Sequence, residues 1–231
     1  MRTLAYSLST LILLAGAAHA ADLYVPPPAA PAVASYDWTG FYAGIHGGYS
    51  WGGIGNSFAL DPAGPPVPQP DFSVSGGVFG VQAGYSDQIG NFVLGAEGRV
   101  YWSGLSGNDG GLGGAVDALQ ARWGVQALAQ LGYAVDRVMP YLTAGVTSLN
   151  YDYSLSNLGT TETNNQTAFG GAVGAGIKYA VTDNFILFAE YTHEFYPANS
   201  FHFPASAALN GQTIAAQPKV DAVRFGLDYK F

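Results

Sequence analysis

Long stretches of strict two-residue alternation constrain this chain more than any other feature. From Gly40 onward, Phe41, Ala43, Ile45, Gly47, Tyr49 and Trp51 fall on one face and Tyr42, Gly44, His46, Gly48 and Ser50 on the other. A second segment sets Phe79, Val81, Ala83 and Tyr85 against Gly80, Gln82, Gly84 and Ser86. A third sets Phe92, Leu94, Ala96, Val100 and Trp102 against Glu97, Arg99 and Tyr101. In the fourth, Leu119, Ala121, Trp123, Val125, Ala127, Ala129 and Leu131 alternate with Gln120, Arg122, Gly124, Gln126, Leu128 and Gln130. A weaker fifth segment runs from Pro140 to Leu149. The sixth places Phe169, Val173, Ala175, Ile177 and Tyr179 opposite Gly170, Ala172, Gly174, Gly176 and Lys178. The seventh opposes Phe185, Leu187, Ala189 and Tyr191 to Glu190, Thr192 and Glu194, and the eighth closes the chain from Arg224 to Phe231. A period of two sends successive side chains to opposite faces of a strand. Several of these strands reach 11 to 13 residues. Ordinary strands hold ~5–6 residues, whereas a strand crossing a bilayer at a tilt needs ~9–11.

The connections between them alternate in length. Asp87–Asn91, Ala134–Arg137 and Ala180–Asn184 are short, whereas Gly52–Ser73, Ser103–Val116, Asp152–Gln166 and Phe195–Pro218 are long. Short periplasmic turns, long external loops and an even strand number describe an outer-membrane barrel. The predicted fold is therefore all-β: an eight-stranded antiparallel up-and-down transmembrane β-barrel. Lipid cannot hydrogen-bond backbone groups, so a sheet inside it must close on itself. The apolar face then points outward. Phe41, Tyr85, Phe92, Tyr133, Tyr179, Phe185, Tyr229 and Phe231 are expected near the periplasmic rim, and Trp51, Trp102, Phe169 and Tyr191 near the outer rim, as two aromatic girdles.

Composition removes the competing classes. A soluble barrel of the same strand number would carry its charges on the outside, yet only 10% of this chain is charged against 48% hydrophobic. Lys and Arg number 8 against 16 Asp and Glu, which leaves no basic patch for nucleic acid. With no Cys there is no disulfide framework and no thiolate chemistry. Ahead of the strands, Arg2, an apolar run from Leu4 to Ala18 and the small-x-small site Ala18-His19-Ala20 predict a signal peptide over 1–20. Residues 21–38 follow as a Pro/Ala-rich periplasmic linker, an unpacked tail, and 39–231 as the outer-membrane barrel.

The motifs Trp38-Thr39-Gly40-Phe41-Tyr42-Ala43-Gly44, Gly80-Val81-Gln82-Ala83-Gly84-Tyr85, Val93-Leu94-Gly95-Ala96-Glu97, Pro140-Tyr141-Leu142-Thr143-Ala144-Gly145-Val146, Gly174-Ala175-Gly176-Ile177-Lys178-Tyr179 and Ala189-Glu190-Tyr191 resemble those of small outer-membrane β-barrel surface antigens of Gram-negative bacteria, the porin-family or OmpA-like transmembrane barrels. The resemblance covers nearly all of the chain after the leader. It implies antigenic, envelope-stabilising or pore-like proteins. It also implies that the closing strand, through Phe225, Leu227, Tyr229 and Phe231, carries the signal read by the barrel-insertion machinery. The sequence departs from the family at Phe188, where members often place a lysine facing the lumen.

Eight strands enclose an interior just wide enough for side chains to fill it. The inward face holds Glu97, Arg99, Arg122, Gln126, Glu190 and Arg224 near mid-depth, a lumen charge network in which Glu97 is expected to meet Arg122, and Glu190 to meet Arg224. Such a set is either a paired plug that fixes strand register or a selectivity constriction. The inward glycines leave room for large neighbours such as Tyr42 and Tyr101. His46 points inward as a lone hydrogen-bonding group. At the outer rim, His193 and Glu194 stand on opposite faces, so no Ser/His/acid set is spaced for catalysis. No catalytic residue, cofactor or metal is expected. The leading expectation is a structural or surface barrel acting in envelope integrity, as a surface antigen or in adhesion. A small passive porin with a charged lumen is the alternative, and a membrane-embedded lipid hydrolase a second one. Expected partners are outer-membrane lipids, the barrel-insertion machinery and host or phage surface ligands, with no nucleic acid and a monomeric state.

Overall fold

The computed structural model describes residues 36–60, 67–68, 72–108, 115–157, 160–197, 199–202 and 212–231. The leader and most of the linker lie outside these residues. Eight strands form the barrel wall: β1 (Gly40–Leu60), β3 (Phe72–Ile89), β4 (Phe92–Ser103), β6 (Ala115–Tyr133), β7 (Val138–Asn157), β8 (Thr160–Ala180), β9 (Phe185–Phe195) and β11 (Gln212–Lys230). Three short strands, β2 (Val67–Pro68), β5 (Ser106–Asn108) and β10 (Asn199–His202), add to its outer end. Each wall strand pairs antiparallel with the next, and β11 returns to β1 from Tyr42↔Lys230 to Leu60↔Gln212, so the sheet has no free edge around its circumference. Closure satisfies the backbone groups that lipid cannot.

The alternation decides the two faces. Phe41, Ile45, Phe79, Leu142, Val146, Phe169, Ile177 and Phe225 are large, apolar and exposed on the outer wall. In water such a surface would aggregate; here it is the lipid band. All residues expected in the two aromatic girdles are exposed on this wall. Neighbouring girdle rings pack on one another, Phe92 against Tyr133 at 5.5 Å, Phe185 against Tyr229 at 5.3 Å and Phe79 against Trp102 at 5.4 Å.

The structure differs from the sequence reading in three places. First, much of what was expected as long external loops is strand. β7 and β8 stay paired up to Asn157↔Thr160, and β1 and β11 up to Leu60↔Gln212. The β7 and β8 extensions are rich in Ser, Thr and Asn, which hides the period of two. Cross-strand polar pairs hold them instead, Ser154 with Thr163 at 2.9 Å and Ser156 with Thr161 at 2.8 Å.

Second, the end of the linker is packed. Tyr36 and Trp38 turn into the periplasmic mouth and form a buried cluster with Val93, Ala134, Met139, Ala180 and Ile186. Trp38 Nε1 donates to the Asp136 carbonyl at 3.1 Å, and its backbone N–H donates to Gln88 Oε1 at 2.8 Å. Tyr36 donates its hydroxyl to the Asp183 carbonyl at 3.2 Å, and Lys230 donates to the Asp37 carbonyl. Burial pushes the Tyr36 phenol up to about 12, and the Thr39 backbone N–H on its carboxylate holds Asp37 below the usual range. A stopper of two aromatic rings thus belongs to the barrel, not to the tail.

Third, β6 carries an irregularity between Ala121 and Trp123, where Ala121 faces Tyr151 and Trp123 faces Asn150. One extra residue in the strand swaps the faces above it. Leu119 and Ala121, expected toward lipid, are buried inside, and Arg122, expected inside, is outside.

Candidate functional site: the barrel lumen

The lumen is filled at three levels. Above the stopper lies a polar layer. Arg99 of β4 carries it: its Nη1 and Nη2 grip both carboxylate oxygens of Glu190 on β9, the second at 2.8 Å, while its Nε donates to Glu97. This two-pronged geometry is the strongest form of Arg–carboxylate contact. Glu97 also accepts from the Tyr42 hydroxyl at 2.7 Å and from Gln130 Nε2 at 3.0 Å, and Glu190 from the Tyr141 hydroxyl at 2.8 Å. Lys178 Nζ lies 3.7 Å from Glu97 and 4.2 Å over the Tyr42 ring. Higher in the lumen, Arg224 Nη2 donates to Glu194 at 2.8 Å and its Nη1 to Thr192. Glu194 further accepts from Gln126 Nε2 at 2.8 Å and from the Tyr196 hydroxyl at 2.7 Å. The uppermost level is apolar and aromatic, with Phe72, Val74, Leu105, Leu119, Leu149 and Tyr151 in one buried cluster.

The inward glycines are what let these rings cross the lumen. A Cβ on Gly84 would stand 2.5 Å from the Tyr42 hydroxyl, and one on Gly176 2.7 Å from the Tyr141 hydroxyl. Each tyrosine that reaches a central carboxylate therefore lies across a glycine of a neighbouring strand.

Of the six residues expected in the network, Glu97, Arg99, Gln126, Glu190 and Arg224 are buried in the lumen. Arg122 is not. The irregularity before Trp123 turns it outward, where its side chain is 59% exposed and pairs with Asp152. There it helps line a polar recess of about 670 Å³ together with Gln120, Ser154 and Thr163. Hydrogen bonds from Asn165 and then Arg122 hold the Asp152 carboxyl low. The expected pairings are corrected accordingly. Glu97 meets Arg99 rather than Arg122. Arg224 lies opposite Glu190 in register but bonds to Glu194, because Glu190 is already held by Arg99. Tyr42, Tyr141, Lys178, Glu194 and Asp228 complete the network and were outside the expected set. Lys178 had a signal: it stands directly across from Phe188, so the neighbouring strand brings a lysine to the lumen beside the position where the family resemblance leads one to look. Phe225, Leu227, Tyr229 and Phe231 all face outward on the closing strand. His193 faces outward to Asp221 at 2.8 Å and Glu194 inward, as their alternation requires.

A closed eight-stranded wall with outward girdles and a packed polar lumen agrees with the family match over residues 9–231, to the outer membrane protein beta-barrel domain. The chain belongs to that family. It is 32% identical over 240 residues to the 31 kDa outer-membrane immunogenic protein of Brucella melitensis, covering 96% of this chain and 97% of that one. It is 27% identical over 237 residues to the 25 kDa outer-membrane immunogenic protein of Brucella abortus, covering 100% of this chain and 99% of that one. Among solved structures, the outer membrane protein OprG of Pseudomonas aeruginosa superposes with a TM-score of 0.60 at 18% identity, covering 84% of this chain and 97% of that one. Family and fold place this barrel in the outer membrane.

Proposed function

We propose that this protein is a closed structural barrel of the outer membrane that presents a surface antigen, and that it neither conducts nor catalyses. The observation that carries this reading is the mid-lumen layer, in which Arg99 ties β4 to β9 across the bore through Glu190. A solute would have to break this contact and leave buried charges unpaired, which costs about 3–5 kcal/mol. The stopper below and the apolar cluster above close the same path twice more. The names of the Brucella relatives, outer-membrane immunogenic proteins, support surface presentation. The strand extensions of β1, β7, β8 and β11 are the part that reaches beyond the membrane. A structural role is also favoured over hydrolysis, because His193 and Glu194 point to opposite sides of the wall.

In this reading the partners are the lipids around the two girdles and the insertion machinery acting on Phe225, Leu227, Tyr229 and Phe231, and the barrel works as a monomer. The test is single-channel recording of the folded protein in a planar bilayer, with folding checked by the gel-mobility shift on boiling. A silent bilayer is expected. Reproducible conductance steps that change in Glu97→Ala would replace this reading with a porin. Lipid turnover by the wild type that disappears in His193→Ala would replace it with an enzyme.

A further inference from the structure

The charges inside the barrel do not balance. Among the described residues the lumen buries four carboxylates, Glu97, Glu190, Glu194 and Asp228, and three cations, Arg99, Lys178 and Arg224. Arg99 satisfies Glu97 and Glu190, and Arg224 satisfies Glu194. Asp228 is left with Lys178 at 3.8 Å, and its Oδ2 accepts no hydrogen bond. His46 Nε2 is buried without a partner as well. One amide joins these two residues: His46 Nδ1 lies 2.7 Å from Gln82 Oε1, and Gln82 Nε2 lies 2.5 Å from Asp228 Oδ1.

We propose that the folded barrel holds one proton on the His46–Gln82–Asp228 chain, and that this proton makes the lumen neutral. With Gln82 as it stands, His46 carries protons on both ring nitrogens, donating Nδ1–H to Gln82, and Gln82 donates to a charged Asp228. Half a turn of the amide gives the other arrangement. Protonated Asp228 then donates to Gln82 Oε1, and Gln82 Nε2–H donates to His46 Nδ1, with the ring's own proton on Nε2. Both arrangements contain the same number of protons. The first opposes four cations to four anions, the second three to three. An excess buried charge is far more costly than either.

The charges that face the chain are consistent with a proton and not a metal cation. Tyr42 of β1, Glu97 and Arg99 of β4, Lys178 of β8 and Arg224 of β11 surround it. Beyond them, Gln126 and Gln130 of β6, Tyr141 of β7 and Glu190 and Glu194 of β9 bond to those residues and not to the chain. The Lys178 ammonium repels a second cation from Asp228. Space is also lacking: the Leu227 carbonyl and Asp228 press so closely on Gly44 that even a Cβ there would collide with both.

Linkage makes the proposal measurable. An unfolded His gives up its proton above ~6.5 and an unfolded Asp above ~3.9. Above pH ~6.5 the folded barrel then holds one more proton than the unfolded chain, so its stability falls as pH rises. Urea unfolding of the protein in lipid vesicles between pH 7 and 8.5 is read in a His193→Gln background, which silences the imidazole beside Asp221. The folding constant is expected to fall about tenfold per pH unit, and to become flat when Asp228→Asn is added. A flat profile without Asp228→Asn, an unchanged slope with it, or a slope that added sodium or potassium abolishes across the same pH range would overturn the proposal. Should Asp228→Asn fail to fold, the wild-type barrel still decides. Its infrared spectrum at pH 7 is expected to show a protonated carboxyl, or its ¹⁵N-histidine NMR spectrum an imidazolium at His46. Finding neither would overturn the proposal.

Discussion

Two arginines show how one residue of register separates burial from exposure. Arg99 and Arg122 both stand in alternating segments, on the side opposite the apolar residues. Arg99 keeps its register, and its side chain is 1% exposed among Glu97, Glu190 and Tyr141. Arg122 follows Ala121, where the strand gains its extra residue, and its side chain lies in solvent beside Asp152. The two substitutions therefore differ in scale. Arg99→Ala strands two carboxylates in the lumen and is expected to lower stability by about 3–5 kcal/mol. Arg122→Ala loses a solvent-screened pair and is expected to stay within about 1 kcal/mol of wild type. The urea midpoint of each variant in lipid vesicles measures the difference; equal shifts would mean that the buried layer does not hold the barrel together.

At the scale of elements, the stopper and the strand extensions are the two features that alternation alone did not reveal. Tyr36 and Trp38 belong to no periodic segment, and their hydrogen-bond partners, Asp136, Asp183 and Gln88, come from distant parts of the chain. The absence of native Cys makes the stopper open to a direct test. A single Met139→Cys reporter, in the buried cluster that Trp38 covers, is expected to react slowly with a water-soluble thiol reagent, and at least about tenfold faster once Trp38→Ala is added, since local opening sets the rate of such reactions. Equal rates would show that Trp38 does not seal the mouth. The Tyr36 phenol adds a pH dependence. Its value is raised from an unfolded value of ~10 to about 12. The stability tied to its neutral form is thus fully present below pH ~10 and is lost as pH rises through about 12. The ultraviolet titration of wild type minus Tyr36→Phe should show this late-ionising phenol; a difference curve centred at the ordinary tyrosine value would contradict its burial. The extensions of β7 and β8 lack a hydropathic signal for another reason. Ser, Thr and Asn occupy successive positions there, so pairing continues while the hydropathy pattern ends.

For the molecule as a whole, the proposed closure works in series. The stopper, the Arg99 and Arg224 layers and the apolar cluster lie one above another along a single bore. Opening one level leaves the others shut. Trp38→Ala is therefore expected to speed labelling of the lower lumen yet remain silent in planar bilayers. Conductance steps from that single substitution would show that the polar layers are permeable.

Strand number, the inward and outward faces, both girdles and the membrane location were legible in the residues themselves. A period of two is a local property of the backbone, and the strand lengths and the scarcity of charge determine which solvent the apolar face meets. The partners of the lumen charges were not legible, because they depend on which strands face each other across the bore. Arg99 reaches Glu190 over a separation of 91 residues, and no local pattern encodes that distance. Nor was the irregularity at Ala121. It adds one residue to a strand whose sequence alternates without a break, and only pairing with β7 reveals on which side Arg122 emerges. Local chemistry decided that this chain becomes a barrel in lipid; the register and shear of the closed sheet decided which charges neutralise one another inside it.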